Sequence, residues 1–226
     1  MTDSAGWAKT YLHYSFVNVG LLECALTHRS ASKANYERLE FLGDAFLNYV
    51  IAAQLYALRP DYSEGELSRA RAALVNGPTL AEIAREIGID SQIVLGPGER
   101  RTGGMQRSSM LADATEAVVG AVLLDGSGEI ARDLILRLYR DRILTLPDAE
   151  ELKDAKTQLQ EWLQARGQGL PSYEVVEVAG KDHEKTFSVS CVLDDGLGKQ
   201  TVGIGKSRRQ AEQAAAGLML LELRGE

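Results

Sequence analysis

The chain has 226 residues, 45% of them hydrophobic, with 25 basic and 32 acidic side chains and a net charge of −7. That length suits one or two domains with a sizeable core, and the acidic balance argues against a wholly basic nucleic-acid-binding protein, so any phosphate-binding surface has to be a local patch. Cys24 and Cys191 belong to no CxxC pattern, which argues against a disulfide framework or zinc site and suits a reducing cytoplasm. The N-terminal residues lack the regions of a signal peptide, and no uninterrupted apolar run reaches the roughly 18 residues of a membrane span.

In chain order, the first two thirds reads as helices. Residues 36–58 are densely apolar and stop before Pro60. Residues 78–87 form a shorter helix opened by Pro78. A glycine-rich loop over 96–104 follows; it lacks the GxxxxGK[ST] pattern of a P-loop. Residues 108–124 and 129–144 are helical. The stretch 145–156, with Pro147 and several charges, reads as a connection. Beyond it, residues 154–166 place Leu159, Trp162 and Leu163 on one helical face. Strands are expected over 173–179, 185–194 and 199–205, with Phe187, Val189, Cys191 and Leu193 in strict alternation. Residues 207–223 return to helix. The fold class is multi-domain: an all-α domain over 1–147, a linker at 148–153, and an α-β-β-β-α domain over 154–226.

Two clusters of acids interrupt apolar helices. Glu37, Glu40 and Asp44 are three and four residues apart and share a face; Asp113 and Glu116 are one turn apart. Each cluster taken alone also suits a solvated helix face. Both helices, however, read as apolar around most of their circumference, as buried helices are, and buried carboxylates are costly unless paired or metal-bound. Two of them about 4 Å apart repel by roughly 4 kcal/mol at an effective dielectric near 20. Four such groups brought together need a cation, and an all-oxygen ligand set points to a hard one, magnesium or manganese.

The run Glu37-Arg-Leu-Glu40-Phe-Leu-Gly-Asp44 resembles the signature of the ribonuclease III family. Ala25-Leu-Thr-His-Arg-Ser30, Leu111-Ala-Asp-Ala-Thr-Glu116 and the glycine-rich loop support the resemblance, which covers nearly the whole chain. It implies a homodimer with one catalytic centre per subunit and a metal held by Glu40, Asp44, Asp113 and Glu116, with Asp44 and Glu116 catalytic. Glu37 and Glu64 match acidic positions with less direct roles, and Phe41 lies where the signature helices meet across the dimer. The implied reaction is magnesium-dependent hydrolysis of double-stranded RNA by an activated water. It leaves 5′-phosphate and 3′-hydroxyl ends with short 3′ overhangs, and serves maturation of ribosomal RNA precursors and some messenger and transfer RNAs in the cytoplasm. A non-cutting double-stranded RNA-binding regulator is the alternative. Retention of all four acids favours the enzyme.

Residues 154–226 resemble a double-stranded RNA-binding domain, which reads A-form shape over about 16 base pairs; this disfavours a DNA nuclease. The expected RNA contacts are Gln158 and Glu161 on the first helix, His183 in the loop 180–186, and Lys206, Arg208 and Arg209 at the start of the last helix, where backbone N–H groups also face phosphates. Arg107 is a weaker candidate for a phosphate contact. Many such domains carry a further basic residue where this chain has Glu212, which removes one expected phosphate contact.

Overall fold

The computed structural model describes residues 3–101, 107–181, 185–193 and 198–225. The chain divides into two compact units, residues 1–149 and 150–226.

The first unit is helical. Helix α1 (Ser4–Trp7) runs into a π-helical turn, Ala8–Leu12, that ends at His13 with φ 48°. Its buried Trp7 donates Nε1–H to the Ile87 carbonyl at 2.6 Å. Helix α2 is Val19–Ala25 and α3 is Glu37–Leu58. Helix α4 (Glu64–Leu74) starts on a Ser63/Glu66 capping box, which satisfies two otherwise orphaned N–H groups. Helix α5 (Gly77–Glu86) is capped by Asn76, with proline in its first turn. A 3-10 turn at Ile89–Ser91 leads to α6 (Pro97–Arg101), then α7 (Ser108–Asp125) and α8 (Gly128–Leu144). Helix α6 corrects the expectation of a loop throughout 96–104: Pro97 at its start and basic residues in its last turn are ordinary helix signals. Helices α2 and α4 also carried too little apolar periodicity to be expected from sequence.

Helix α7 is the central element, with eleven buried residues from Met110 to Val122. It packs along α3 through two glycines. A Cβ on Gly43 would lie 1.8 Å from the Glu116 carbonyl oxygen, and one on Gly120 would lie 2.3 Å from that of Leu39. The backbones touch where any other residue would hold them apart.

Helix α3 departs from the expectation of an all-round buried helix. It buries Leu39, Gly43, Leu47, Val50, Ile51 and Leu55, but leaves Phe41 80%, Tyr49 66% and Tyr56 73% exposed. One chain covers only one of its apolar faces. With a mean hydropathy of 1.3 over 18 residues it is long and apolar enough to cross a membrane, among the described residues. It packs on α7 instead, and its acids would each cost about 3 kcal/mol at a bilayer centre.

The second unit is α9 (Ala155–Gln164), β1 (Ser172–Ala179), β2 (Thr186–Val192), β3 (Gln200–Gly205) and α10 (Arg208–Arg224). The strands form one antiparallel sheet in the order β1-β2-β3, with a bulge in β1 between Val175 and Glu177. Leu159 and Leu163 of α9, Cys191 of β2 and Leu193 just after it, and Ala215, Ala216, Met219 and Leu220 of α10 make its core. A Cβ on Gly203 would lie 2.1 Å from the Ala215 backbone nitrogen, so β3 and α10 approach as closely as α3 and α7 do.

Candidate active site and RNA-facing surfaces

The glycine contact between α3 and α7 brings the two acidic clusters together. Glu40, Asp113 and Glu116 each place a carboxylate oxygen within 4.8 Å of the others. All three are partly buried. Burial, then the charges of Asp44, Glu40 and Asp113, push the Glu116 carboxyl up to about 8. Burial, Asp113, Glu37 and Asp44 also raise Glu40; burial raises Asp113, against the opposing pull of His28 and Arg29. Three partly buried carboxyl groups all raised above their ordinary range, Glu40 and Glu116 partly by their acidic neighbours and Asp113 by burial, are electrostatically incomplete, and a hard divalent cation of oxygen preference fits that donor set.

Asp44 stands beside this trio rather than in it. Its side chain is exposed, and Oδ1 accepts a 2.7 Å hydrogen bond from the Asn48 amide, which also donates to the Asp44 carbonyl at 3.0 Å. Its charge nonetheless reaches both Glu40 and Glu116. Asn48, which sequence reasoning passed over, is the side chain that holds the Asp44 carboxylate; its position one turn after Asp44 was the available signal.

Glu37 is exposed, and its Oε1 accepts from Arg29 at 3.3 Å. Both line a polar cleft that continues from Glu40 and Asp113 to His28, Glu99 and Arg107. His28 Nδ1 lies 2.7 Å from Ser30 Oγ, which itself accepts from Gly96 N. Arg107 forms a 2.6 Å ion pair with Glu99. Glu64 lies elsewhere, at the start of α4, where it accepts from Ser68 Oγ at 2.8 Å and lines a separate, mainly apolar cleft with Tyr49, Tyr56 and Tyr62. Phe41 borders a third depression with Leu21, Cys24, Leu42 and Leu124.

In the second unit, Lys206, Arg208 and Arg209 are exposed at the start of α10, whose cap Ser207 accepts from Gln210 N. Arg208 and Arg209 share a cleft with Lys156, Thr157 and Gln160 of α9. Gln158 and Glu161 do not join them. Gln158 donates Nε2–H to the carbonyls of Lys153 at 2.9 Å and Glu150 at 3.3 Å, and Glu161 pairs with Lys153 Nζ at 2.6 Å. Both line a different depression, with Trp162 and Arg224. Thr157 and Gln160 are thus the α9 polar groups that accompany the basic edge, and sequence reasoning passed over them. His183 lies outside the described residues.

The family model described as Ribonuclease-III-like matches residues 18–143, and the one described as double-stranded RNA binding motif matches residues 155–223. The chain is 54% identical to the curated Ribonuclease 3 of Alkalilimnicola ehrlichii over 94% of its own length and 92% of that protein. It is 53% identical to the Ribonuclease 3 of Nitrosococcus oceani over 96% and 93%. Among solved structures, the nuclease domain of ribonuclease III from Campylobacter jejuni superposes with a TM-score of 0.61 at 38% identity, over 65% of this chain and all of that one. A second structure of the same domain, described by flexibility in the region involved in dimer formation, gives 0.59 at 40% identity over 60% of this chain and 95% of that one.

Proposed function

Because the chain belongs to the ribonuclease III family, we propose that it is a metal-dependent, homodimeric endonuclease that hydrolyses double-stranded RNA. The observation that carries this reading is the convergence of Glu40, Asp113 and Glu116 within 4.8 Å, in a chain that also carries a double-stranded RNA-binding motif. The catalytic part is assigned to residues 1–147, the linker to 148–153 and the RNA-binding part to 154–226. The break between residues 149 and 150 and the start of α9 at Ala155 support those bounds.

Glu40, Asp113 and Glu116 hold the cation, and Asp44, oriented by Asn48, supplies the fourth carboxylate. Magnesium is the ion proposed, with manganese as substitute, because the donors are all oxygen. Bound there, it supplies a water of lowered pKa and positive charge against the scissile phosphate. Burial and the neighbouring acids hold the Glu116 carboxyl well above the usual carboxylate range, and a cation held there would favour its ionised form. Glu37 and Arg29 line the cleft beside the site; Arg29 offsets acidic charge where a phosphodiester backbone has to pass. Water attack displaces the 3′ oxygen and leaves 5′-phosphate and 3′-hydroxyl ends. Two such sites in a dimer cut both strands with a short 3′ overhang. Phe41, exposed on α3, is assigned to the dimer contact, and Glu64 to an indirect acidic role.

Lys206, Arg208 and Arg209 are assigned to phosphates, with Glu161 and His183 as minor-groove contacts. Thr157 and Gln160, which share the cleft of Arg208 and Arg209, are added to that surface. Gln158 reaches RNA only by releasing the carbonyls it now caps. Ribosomal RNA precursors and some messenger and transfer RNAs are the proposed substrates, in a cytoplasm whose reducing state suits the free Cys24 and Cys191. Incubation of the purified protein with a long RNA duplex decides the reading. Cleavage is expected with magnesium and not with EDTA; intact duplex in magnesium would sink it and favour the non-cutting regulator.

A further inference from the structure

Glu212 lies on the first turns of α10 in the middle of the basic edge. Its side chain is only 13% exposed. One carboxylate oxygen is 2.7 Å from Lys156 Nζ on α9, and the other is 2.8 Å from Arg208 Nε one turn back on α10. The contact is reinforced next door: Gln213 accepts from Lys156 N at 3.1 Å and donates to Asp154, the cap of α9, at 2.8 Å. Lys156 is further placed over the Tyr173 ring at 4.2 Å. The pairing with two cations holds the Glu212 carboxyl below its usual range, so the charge is present at neutral pH.

We infer that Glu212 limits how tightly this domain grips RNA, by holding Lys156 and Arg208 in an intramolecular ion-pair triad beside the phosphate-binding edge. The inference rests on the reading that Arg208 and Arg209 meet RNA phosphates. Its basis is charge count and geometry. Lys156, Arg208 and Glu212 present one net positive charge where two cations stand. A phosphate approaching this cleft meets a carboxylate behind the cations and has to compete with it for both. Lys156 is the more strongly withdrawn, with the ion pair, the aromatic ring and a half-buried position all favouring the bound geometry. Each phosphate contact contributes to affinity and to its salt dependence. The triad therefore removes about one contact from both. An enzyme that must release its cut products gains turnover from a weaker grip when release limits the rate, and two such domains in a dimer supply retention on long duplexes that one does not.

The test measures binding of the full-length protein, in EDTA to prevent cleavage, to a blunt RNA duplex of about 32 base pairs, two footprints of roughly 16. Glu212→Gln keeps the size and hydrogen-bonding capacity but not the charge. It is expected to lower Kd about three- to tenfold and to steepen the dependence of log K on log salt by up to roughly 0.9. Glu212→Ala, which suits a helix interior, is expected to act in the same direction and serves if the glutamine variant does not fold by circular dichroism. Arg209→Ala is the control for the underlying reading and is expected to weaken binding. If Arg209→Ala weakens binding while the folded Glu212 variants bind equally or less well than the parent, Glu212 is an affinity-supporting strut and the inference is overturned alone. If Arg209→Ala leaves binding unchanged, the phosphate-binding edge is wrongly placed and both fall.

Discussion

Glu116 has the most strongly raised carboxyl group among the described residues. Its carboxyl is raised from an ordinary 4.5 to about 8, chiefly by burial and then by Asp44, Glu40 and Asp113. An acid raised in this way keeps its proton in the folded state at pH values where the unfolded chain has lost it. The folded state then binds more protons, so stability of the metal-free protein falls as pH rises through that window. We expect the metal-free Tm to decline between about pH 5 and 8, and magnesium to restore it increasingly toward the alkaline end. Glu116→Gln removes this group's share and flattens the Tm profile; an unchanged slope would show that Glu116 titrates normally. The same variant is expected to abolish cleavage while retaining duplex binding, measured by gel shift in EDTA. Asn48→Ala tests orientation rather than ligation. Asp44 loses its 2.7 Å donor, and loss of such a supporting contact typically costs about 10- to 100-fold in metal affinity or activity. Excess metal is expected to recover part of the rate, which it would not do for Glu116→Gln.

At the scale of elements, the site depends on the contact between α3 and α7. A methyl group at Gly43 would lie 1.8 Å from the Glu116 carbonyl, a backbone atom that cannot rotate away. Gly43→Ala has to move one helix, and overpacking of this kind costs about 1–3 kcal/mol or more. The expected result is a lower Tm together with a loss of metal affinity out of proportion to it, because the shift separates Glu40 from Glu116. Normal manganese binding in a folded Gly43→Ala protein would contradict this. Helix α9 offers a second element-level test. With Leu159 inward, Gln158 and Gln160 lie about 100° to either side of it. Only Gln160 faces the cleft of Arg208 and Arg209. Gln160→Ala is therefore expected to weaken duplex binding more than Gln158→Ala; the reverse order would return the contact to Gln158.

For the whole molecule, the unpartnered face of α3 matters most. Phe41, Tyr49 and Tyr56 are 66–80% exposed on one helix, and large exposed apolar side chains of this kind mark surfaces that another molecule covers. The proposed dimer covers Phe41. Phe41→Ala is expected to shift sedimentation from dimer toward monomer at micromolar concentration with little change in the far-UV spectrum. A variant that stays dimeric at every accessible concentration would remove Phe41 from the interface.

The sequence by itself determined what is local. Residue spacing placed Glu37, Glu40 and Asp44 on one turn-repeated face and Asp113 with Glu116 on another. Alternation identified β2, and apolar periodicity identified α3, α5, α7, α8, α9 and α10, because those signals arise within a few residues of chain. The resemblance then tied the acids to a reaction, which spacing alone left open against a solvated face. Tertiary structure decided what lies far apart in sequence. It set which carboxylates meet: Gly43 and Gly120 let two backbones touch, and Asp44 falls just outside the trio they create. It set which flank of α9 accompanies the basic edge, since Gln158 and Gln160 are equivalent until α10 docks on one side. It also gave Glu212 its two cations, one from α9 and one from its own helix, a contact invisible in a motif whose other basic positions stand in a row. Local spacing specifies a face, but only packing specifies what that face meets.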